Sequence, residues 1–288
     1  MDRILEQITD WLREMLVAGI MDNVTGTFDN VNTQVAQITA EVGTTPANFV
    51  PAIFNMIRNL SNNVIMPIAG ILLTVIACYE LIQLVIGHNN LANFETFIFW
   101  KWIFKTFVAV ELITHTTDIT MAVFDVAGHV VRQSGGIIAG STAINTGALA
   151  GIEATLMAMD VGPLFGIFLQ TFVVKFLIYV LSVIIFVIVY ARMIEIYMMV
   201  SLAPIPFATF GNREQSMIGQ NYLRSLVAVG LQGFLIMVCI GIYAVLIQRI
   251  TFTADLVGSL WGVMGYTVLL AFTLFKTGTV ARSIFHAH

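Results

Sequence analysis

The sequence predicts an all-α polytopic membrane protein, and three observations carry that prediction. Hydrophobic residues fill 58% of the 288 positions and charged residues only 10%, against about 25% charge in an ordinary soluble domain. The mean hydropathy is +0.89. Several apolar runs are long enough, as helices rising about 1.5 Å per residue, to cross a hydrocarbon core of about 30 Å.

The N-terminus, MDRILEQITD, lacks the basic and apolar regions of a cleaved signal, so the first spanning helix is expected to direct insertion itself. Ile4, Leu5, Ile8, Trp11, Leu12, Met15, Leu16 and Ile20 recur at steps of three and four, which is one apolar helical face. Opposite it stand Asp2, Glu6, Asp10 and Glu14 against Arg3 and Arg13. That helix is too polar to span, and it lacks the lysine-rich face that seeks anionic lipid. It is expected to lie on the membrane or to dock on a partner. Phe28, Val31, Val35, Ile38 and Val42 continue with a stripe among Asn, Thr and Gln. That pattern fits either a short coiled-coil seam or a helix packed on its own protein. A further helix opens at Thr44 to Pro46 and runs to the polar break Ser61 to Asn63.

Five spans are expected. Val64 to Ile86 is the first, at about 23 residues or about 34 Å. Phe97 to about Thr114 is the second despite Lys101, Lys105 and Glu111, and residues 116–163 then read as a large outer loop rich in Gly, Ala, Ser and Thr. The third runs from Leu164 through Arg192 and Glu195 to about Met199, the fourth from Leu223 to about Ile247, the fifth from Leu256 to about Phe275. The expected regions are therefore extracytoplasmic amphipathic helices over 1–62, a transmembrane hairpin over 63–115, the loop over 116–163, and a three-helix membrane region over 164–288.

Orientation follows from the basic residues, which favour the cytoplasm. Lys101, Lys105, Arg192, Arg213, Arg224, Lys276 and Arg282 fall in segments that can all face inward, leaving a lone Arg249 beside Asp255 outside. The first 63 residues hold seven acids and three arginines, and the central loop holds Asp118, Asp125, Glu153 and Asp160 against Arg132. The expectation is an N-terminus outside and a C-terminus in the cytoplasm, across the plasma membrane.

The stretch SLAPIPFATFGNREQS places Pro204 and Pro206 inside an apolar run that stops at Gly211 and Arg213. Each proline removes a backbone donor and clashes with the preceding turn, so the third span must break near Leu202. In lipid such a break needs protein or water to satisfy the freed carbonyls. Ile205 to Phe210 is expected to lie along the inner interface as an elbow.

This elbow before NYLRSLVAVGLQG, an amphipathic extracytoplasmic N-terminus, five spans and one large outer loop resemble the TrbL-like polytopic subunits of conjugative type IV secretion systems. The size and the lack of a long C-terminal tail resemble versions from mobile elements of Gram-positive bacteria. The resemblance covers roughly residues 60 to 285 in layout. It implies a membrane core subunit that assembles as a homo-oligomeric ring of about five or six copies. It also implies work beside other membrane subunits and ATPases in DNA transfer and pilus assembly. A net charge of -4 offers no phosphate-neutralising surface of its own for DNA. The alternative is a secondary transporter of a small solute, which would call for inverted repeats and interrupted helices in both halves. One broken helix and no repeat are found.

No Ser/His, paired-Asp or HExxH constellation stands in a span, so no catalytic residue, no metal ligand and no enzymatic activity are expected. His286 and His288 read as a solvated tail, and Cys78 and Cys239 as packed thiols without a disulfide. No cofactor is expected, although a structural phospholipid has a place in such a protein.

Ionisable groups in a bilayer cost a few kcal/mol each and need partners or water. Glu80 matches Lys101 and Lys105 in depth on antiparallel helices, which suggests an ion pair, although Lys101 can also snorkel. Glu111 and His115 lie one helical turn apart. Arg192 and Glu195, spaced by three, can satisfy each other. Lys175 lies near the middle of its span with no acid at three or four residues. It calls for an acid from another helix or subunit, or for water, and a subunit interface or ring axis is the expected place. Gly230, Gly233, Gly258, Gly262 and Gly265 form small faces for close helix packing, within or between subunits.

Overall fold

The computed structural model describes residues 2–87, 96–138, 150–212, 214–250 and 256–287. Every regular element among them is helical. α1 is Asp2–Val42, followed by α2 (Pro46–Phe49) and α3 (Pro51–Leu60). A π-type turn at Ser61–Ile65 joins α3 to α4 (Met66–Gly87). Then come α5 (Thr96–Thr114), α6 (Thr116–Ile138), α7 (Ala150–Met157), α8 (Val161–Leu202), the short α9 (Pro204–Ala208), α10 (Ser216–Gln248) and α11 (Leu256–Ile284).

Four helical segments are long and apolar enough to cross a membrane: Pro51–Ile86, Val161–Leu202, Ser216–Gln248 and Leu256–Ile284. The protein is therefore an all-α polytopic membrane protein. The expected second span does form a helix, α5, of 19 residues. Lys101, Lys105 and Glu111 lie within it, and it is not one of the four. The polar break expected at Ser61 to Asn63 is absorbed as the π-type turn, where one extra residue is inserted without ending the helix.

Two expectations about the elements are corrected. The N-terminal stripe and the seam after it are one 41-residue helix, α1, because Gly19 and Gly26 sit inside a pattern that never loses its apolar period. The expected outer loop over 116–163 instead contains α6, which starts one residue after α5 ends. Thr116, Thr120, Phe124, Ala127, Val131 and Gly135 recur at steps of three and four and are buried. The small residues in 116–138 thus make a packing face. The residues 139–149 of that loop lie outside the described residues. The elbow breaks where expected, after Leu202, and its geometry is given below.

The chain divides into two compact units. The first comprises Met1–Val42, Arg132–Val189 and Leu235–Thr277. In it α1 lies parallel to α8, since Arg13 Nε donates to the Met159 carbonyl just before α8 at 3.2 Å, Asn23 meets Thr171 at 3.3 Å and Asn30 meets Ser182 at 2.6 Å. The buried stripe Ile20, Val24, Phe28, Val31, Val35, Ile38 and Val42 supplies the apolar part of this unit from α1. Tyr243 on α10 and Thr267 on α11 share a buried hydrogen bond at 2.8 Å.

The second unit comprises Gly43–Val131, Tyr190–Phe234 and Gly278–His288. One core joins Phe54, Phe124, Met193, Ile196, Tyr197, Val200, Leu226 and Val229. A second joins Ala69 and Leu73 of α4, Ala109 and Ile113 of α5, and Ala203, Phe207 and Ala208 around α9. This second core positions the elbow.

Candidate functional site

The elbow is built by replacing the hydrogen bonds that its prolines remove. In a continuing helix the Ala203 N–H would donate to the Met199 carbonyl. Here it donates to Val200 instead, at 3.4 Å, and the Tyr222 hydroxyl of α10 donates to the Met199 carbonyl at 3.0 Å. Pro204 opens α9 at its first position, where a missing N–H costs nothing. The Thr209 hydroxyl donates to the Pro206 carbonyl at 2.7 Å and accepts from the Gly219 N–H at 3.0 Å. That second bond satisfies one of the donors that the start of α10 leaves open.

The elbow is packed within the protein, one of the two environments the sequence left open for its freed carbonyls. Pro204, Phe207, Ala208, Thr209 and Gly211 are buried, packed against α4 and α5. The reason is steric. Ala203 and Ala208 present almost no side chain, and a Cβ at Gly211 would stand 3.0 Å from Leu73, so the turn fits between two helices. At Gly219 a Cβ would come within 2.8 Å of the Pro206 carbonyl and 2.7 Å of the Phe210 ring. Arg213, the fourth residue expected at the elbow, lies outside the described residues.

The intramembrane charges are placed as follows. Glu80 on α4 pairs with Lys105 on α5. Lys101, one turn earlier on α5, is exposed. Glu111 Oε2 lies 3.5 Å from His115 Nε2, whose other ring nitrogen is 3.4 Å from Asp118, all on an exposed face. Lys175 Nζ lies 2.8 Å from Asp22 Oδ2 on α1. Of the partners the sequence left open for Lys175, the structure supplies an acid from another helix of the same chain, one too polar to have been counted among the spans.

Arg192 and Glu195 are corrected. Arg192 is buried and donates to the α10 carbonyls of Val229 at 3.3 Å and Gly230 at 3.2 Å. Glu195 pairs with Arg282 on α11. Although three residues apart, the two side chains serve different neighbours, because position 192 faces α10 and position 195 faces α11. The glycines of α10 make this possible. A Cβ at Gly233 would stand 2.8 Å from Arg192 Nη2, and one at Gly230 would stand 3.3 Å from Ala127. On α11, Gly262 has Ile250 as an ordinary neighbour at 3.5 Å, Gly265 has open space, and Gly258 is exposed.

Along α1, Asn23, Thr27, Asn30 and Gln34 form a polar line at steps of four, three and four, facing Thr171, Lys175 and Ser182 on α8. Beyond it a groove of about 390 Å³ is lined by Gln34, Gln37 and Glu41 on one side and Tyr179, Val183 and Phe186 on the other. Burial holds the Glu41 carboxyl above its usual range. Among the described residues no group of three His, Cys, Asp or Glu side chains is placed to hold a metal ion. The arrangement offers fixed charges, satisfied carbonyls and close helix contacts, which is the chemistry of a packed membrane scaffold.

A family model described as TrbL/VirB6 plasmid conjugal transfer like protein matches residues 31–204, more than half of the chain. The chain belongs to the TrbL/VirB6 plasmid conjugal transfer family. The family region runs from the apolar seam of α1 to the first proline of the elbow. It contains Glu80, Lys101, Lys105, Glu111, Lys175, Arg192 and Glu195. No curated protein and no solved structure matches the chain.

The sequence does not single out three residues that matter to this geometry: Asp22, Thr209 and Tyr222. Asp22 had a signal, since the adjacent Asn23, Thr27, Asn30 and Gln34 repeat at helical spacing beside an apolar stripe. Tyr222 and Thr209 had none, because their partners are single backbone groups in other turns.

Proposed function

We propose that this protein is a membrane core subunit of a conjugative type IV secretion system and acts as a non-enzymatic, homo-oligomeric platform or conduit. The observation that carries the reading is the family match over residues 31–204 on a chain with four apolar helices of spanning length. With α5 as a fifth crossing, the reading places it in the plasma membrane with the N-terminus outside and the C-terminus in the cytoplasm. Its partners are further copies of itself, about five or six by the family resemblance, together with the other membrane subunits and ATPases of the machine.

Two features support a scaffold more than a direct grip on DNA. The net charge of -4 is unsuited to neutralising phosphates. The apolar residues Phe165, Leu169, Phe172, Phe176, Tyr179 and Val183 form an exposed line along α8 at steps of four and three, a surface for lipid or for neighbouring helices.

The test is genetic and biochemical together. Deleting the gene from a donor strain is expected to abolish transfer, and the wild-type gene in trans to restore it. Protein purified in mild detergent is expected to be larger than one chain. Undiminished transfer from the deletion strain would overturn the conjugative role, and a strictly monomeric protein that restores transfer would overturn the homo-oligomeric one.

A further inference from the structure

A cavity of about 670 Å³ opens between the last two turns of α4, the first half of α5 and the turn after α9. Leu84, Ile98 and Phe210 are among its apolar walls. Among the described residues its cationic groups are Lys101 and Lys105, and its one carboxylate, Glu80, is engaged by Lys105. Lys101 has neither hydrogen bond nor ion pair among the described residues. One positive charge is therefore left over at the cavity.

A second, independent observation comes from Asn212. It lines the same cavity and is only 1% exposed. Its Oδ1 accepts the Glu214 N–H at 2.7 Å, which fixes the orientation of the amide. Its Nδ2 is then a donor, and it is buried without an acceptor among the described residues. A buried donor in that state carries its full desolvation cost unless something supplies an acceptor.

We propose that this cavity binds the phosphate of an anionic glycerophospholipid, with Lys101 and the Asn212 amide as its ligands and an acyl chain along the apolar rim. A phosphate diester carries one negative charge and acceptor oxygens, which matches one spare ammonium and one spare N–H donor. The lipid source, rather than a soluble phosphate, follows from the surroundings. Ile82 and Ile86 on α4 and Phe97 and Phe104 on α5 are exposed large hydrophobic residues close to the cavity in sequence. Such a surface is suited to hydrocarbon, and a lysine beside it is placed as an interfacial anchor. The site does not depend on the conjugative reading, because it concerns only how this chain meets its bilayer.

The full-length protein in detergent is titrated with phosphatidylglycerol or phosphatidylcholine, and bound lipid is counted by native mass spectrometry. Wild type is expected to prefer phosphatidylglycerol by about tenfold or more, the size of one charge-assisted contact. Lys101→Gln is expected to remove that preference and Lys101→Arg to keep it. Asn212→Asp retains the acceptor for the Glu214 N–H but replaces the free donor by a carboxylate oxygen, and it is also expected to remove the preference. Unchanged thermal unfolding of Lys101→Gln is expected, since that side chain is exposed and unpartnered. Equal affinity of wild type for the two lipids would overturn the proposal, as would wild-type preference in both Lys101→Gln and Asn212→Asp, or its loss in Lys101→Arg. Soluble glycerol phosphate is expected not to compete at equal concentration. Full competition by it would overturn the lipid assignment in favour of a soluble phosphate site.

Discussion

The Lys175 ammonium lies 2.8 Å from the carboxylate of Asp22, 153 residues earlier in the chain. The two belong to a parallel helix pair in which α1 and α8 run side by side from Arg13 near Met159 to Asn30 beside Ser182. Asp22 is 77% exposed at its side chain and Lys175 38%, so in water the pair would contribute little, at most about 1 kcal/mol. Its main effect is on alignment, since a shift by one residue would face Lys175 with a neutral group. Gly26 belongs to the same contact, because a Cβ there would stand 3.0 Å from Lys175 Cε.

The register itself is testable by cross-linking. In a background with Cys78 and Cys239 replaced by serine, cysteines at Asn30 and Ser182 are expected to join through a short bifunctional thiol reagent. Cysteines at Asn30 and Leu164 are expected not to. Cross-linking of the second pair, with none of the first, would mean that α1 does not run parallel to α8.

The elbow depends on one hydroxyl from α10. Tyr222→Phe leaves the Met199 carbonyl without the donor that replaces the broken helical bond, at an expected cost of about 1–3 kcal/mol. Thermal unfolding of the detergent-solubilised protein measures it, and an unchanged midpoint would show that water or relaxation satisfies the carbonyl instead.

Two helical glycines should respond in opposite directions. Gly219→Ala is expected to destabilise by about 1–3 kcal/mol, because its Cβ would press on the Pro206 carbonyl, a backbone atom that cannot swing aside. Gly265→Ala meets open space and is expected to stabilise α11 by about 0.5–1 kcal/mol. If Gly265→Ala instead leaves the monomer stable but breaks an oligomer, that glycine faces a neighbouring copy.

Arg192 carries a buried charge held by two carbonyls rather than by an acid. Arg192→Met keeps most of the volume and removes the charge, and it is expected to be neutral or to stabilise by about 1–4 kcal/mol. Arg192→Ala leaves a cavity and is expected to destabilise. Urea or thermal unfolding distinguishes them, and a large loss of stability in Arg192→Met would show that the guanidinium contacts outweigh its desolvation.

Whether α5 crosses the membrane decides on which side each terminus lies. If α5 crosses, cysteines introduced at Asn90 and at His115 label from opposite sides of the membrane in intact and permeabilised cells. Labelling from one side only would mean that four helices cross and α5 does not. A cysteine at Asn32 is expected to label from outside and one at Gln215 only after permeabilisation.

Much of the fold was legible because membrane segments announce themselves by composition. Val161–Leu202, Ser216–Gln248 and Leu256–Ile284 enclose the expected third, fourth and fifth spans, and the proline break falls where Pro204 requires it. Residues 116–138 read as loop because the segment is moderately polar and leads into the small-residue section Ser134 to Gly151, although Phe124, Ala127 and Val131 keep a helical period. The charges were harder. Depth along antiparallel helices was enough to suggest Glu80 with one of Lys101 and Lys105, of which the structure selects Lys105, whereas the three-residue spacing of Arg192 and Glu195 suggested a pair that does not form.

The amino-acid sequence by itself determined the helical class, the apolar lengths, the position of the break at Leu202 and the kinship carried by the elbow and the layout. Those properties depend on composition, period and backbone covalency, which are local. Only the tertiary structure decided that Lys175 meets Asp22, that Arg192 serves α10 carbonyls while Glu195 meets Arg282, and that the elbow is buried between α4 and α5. Each of these depends on which face of one helix meets another, and that choice is made by the shape and small residues of elements far apart in the chain.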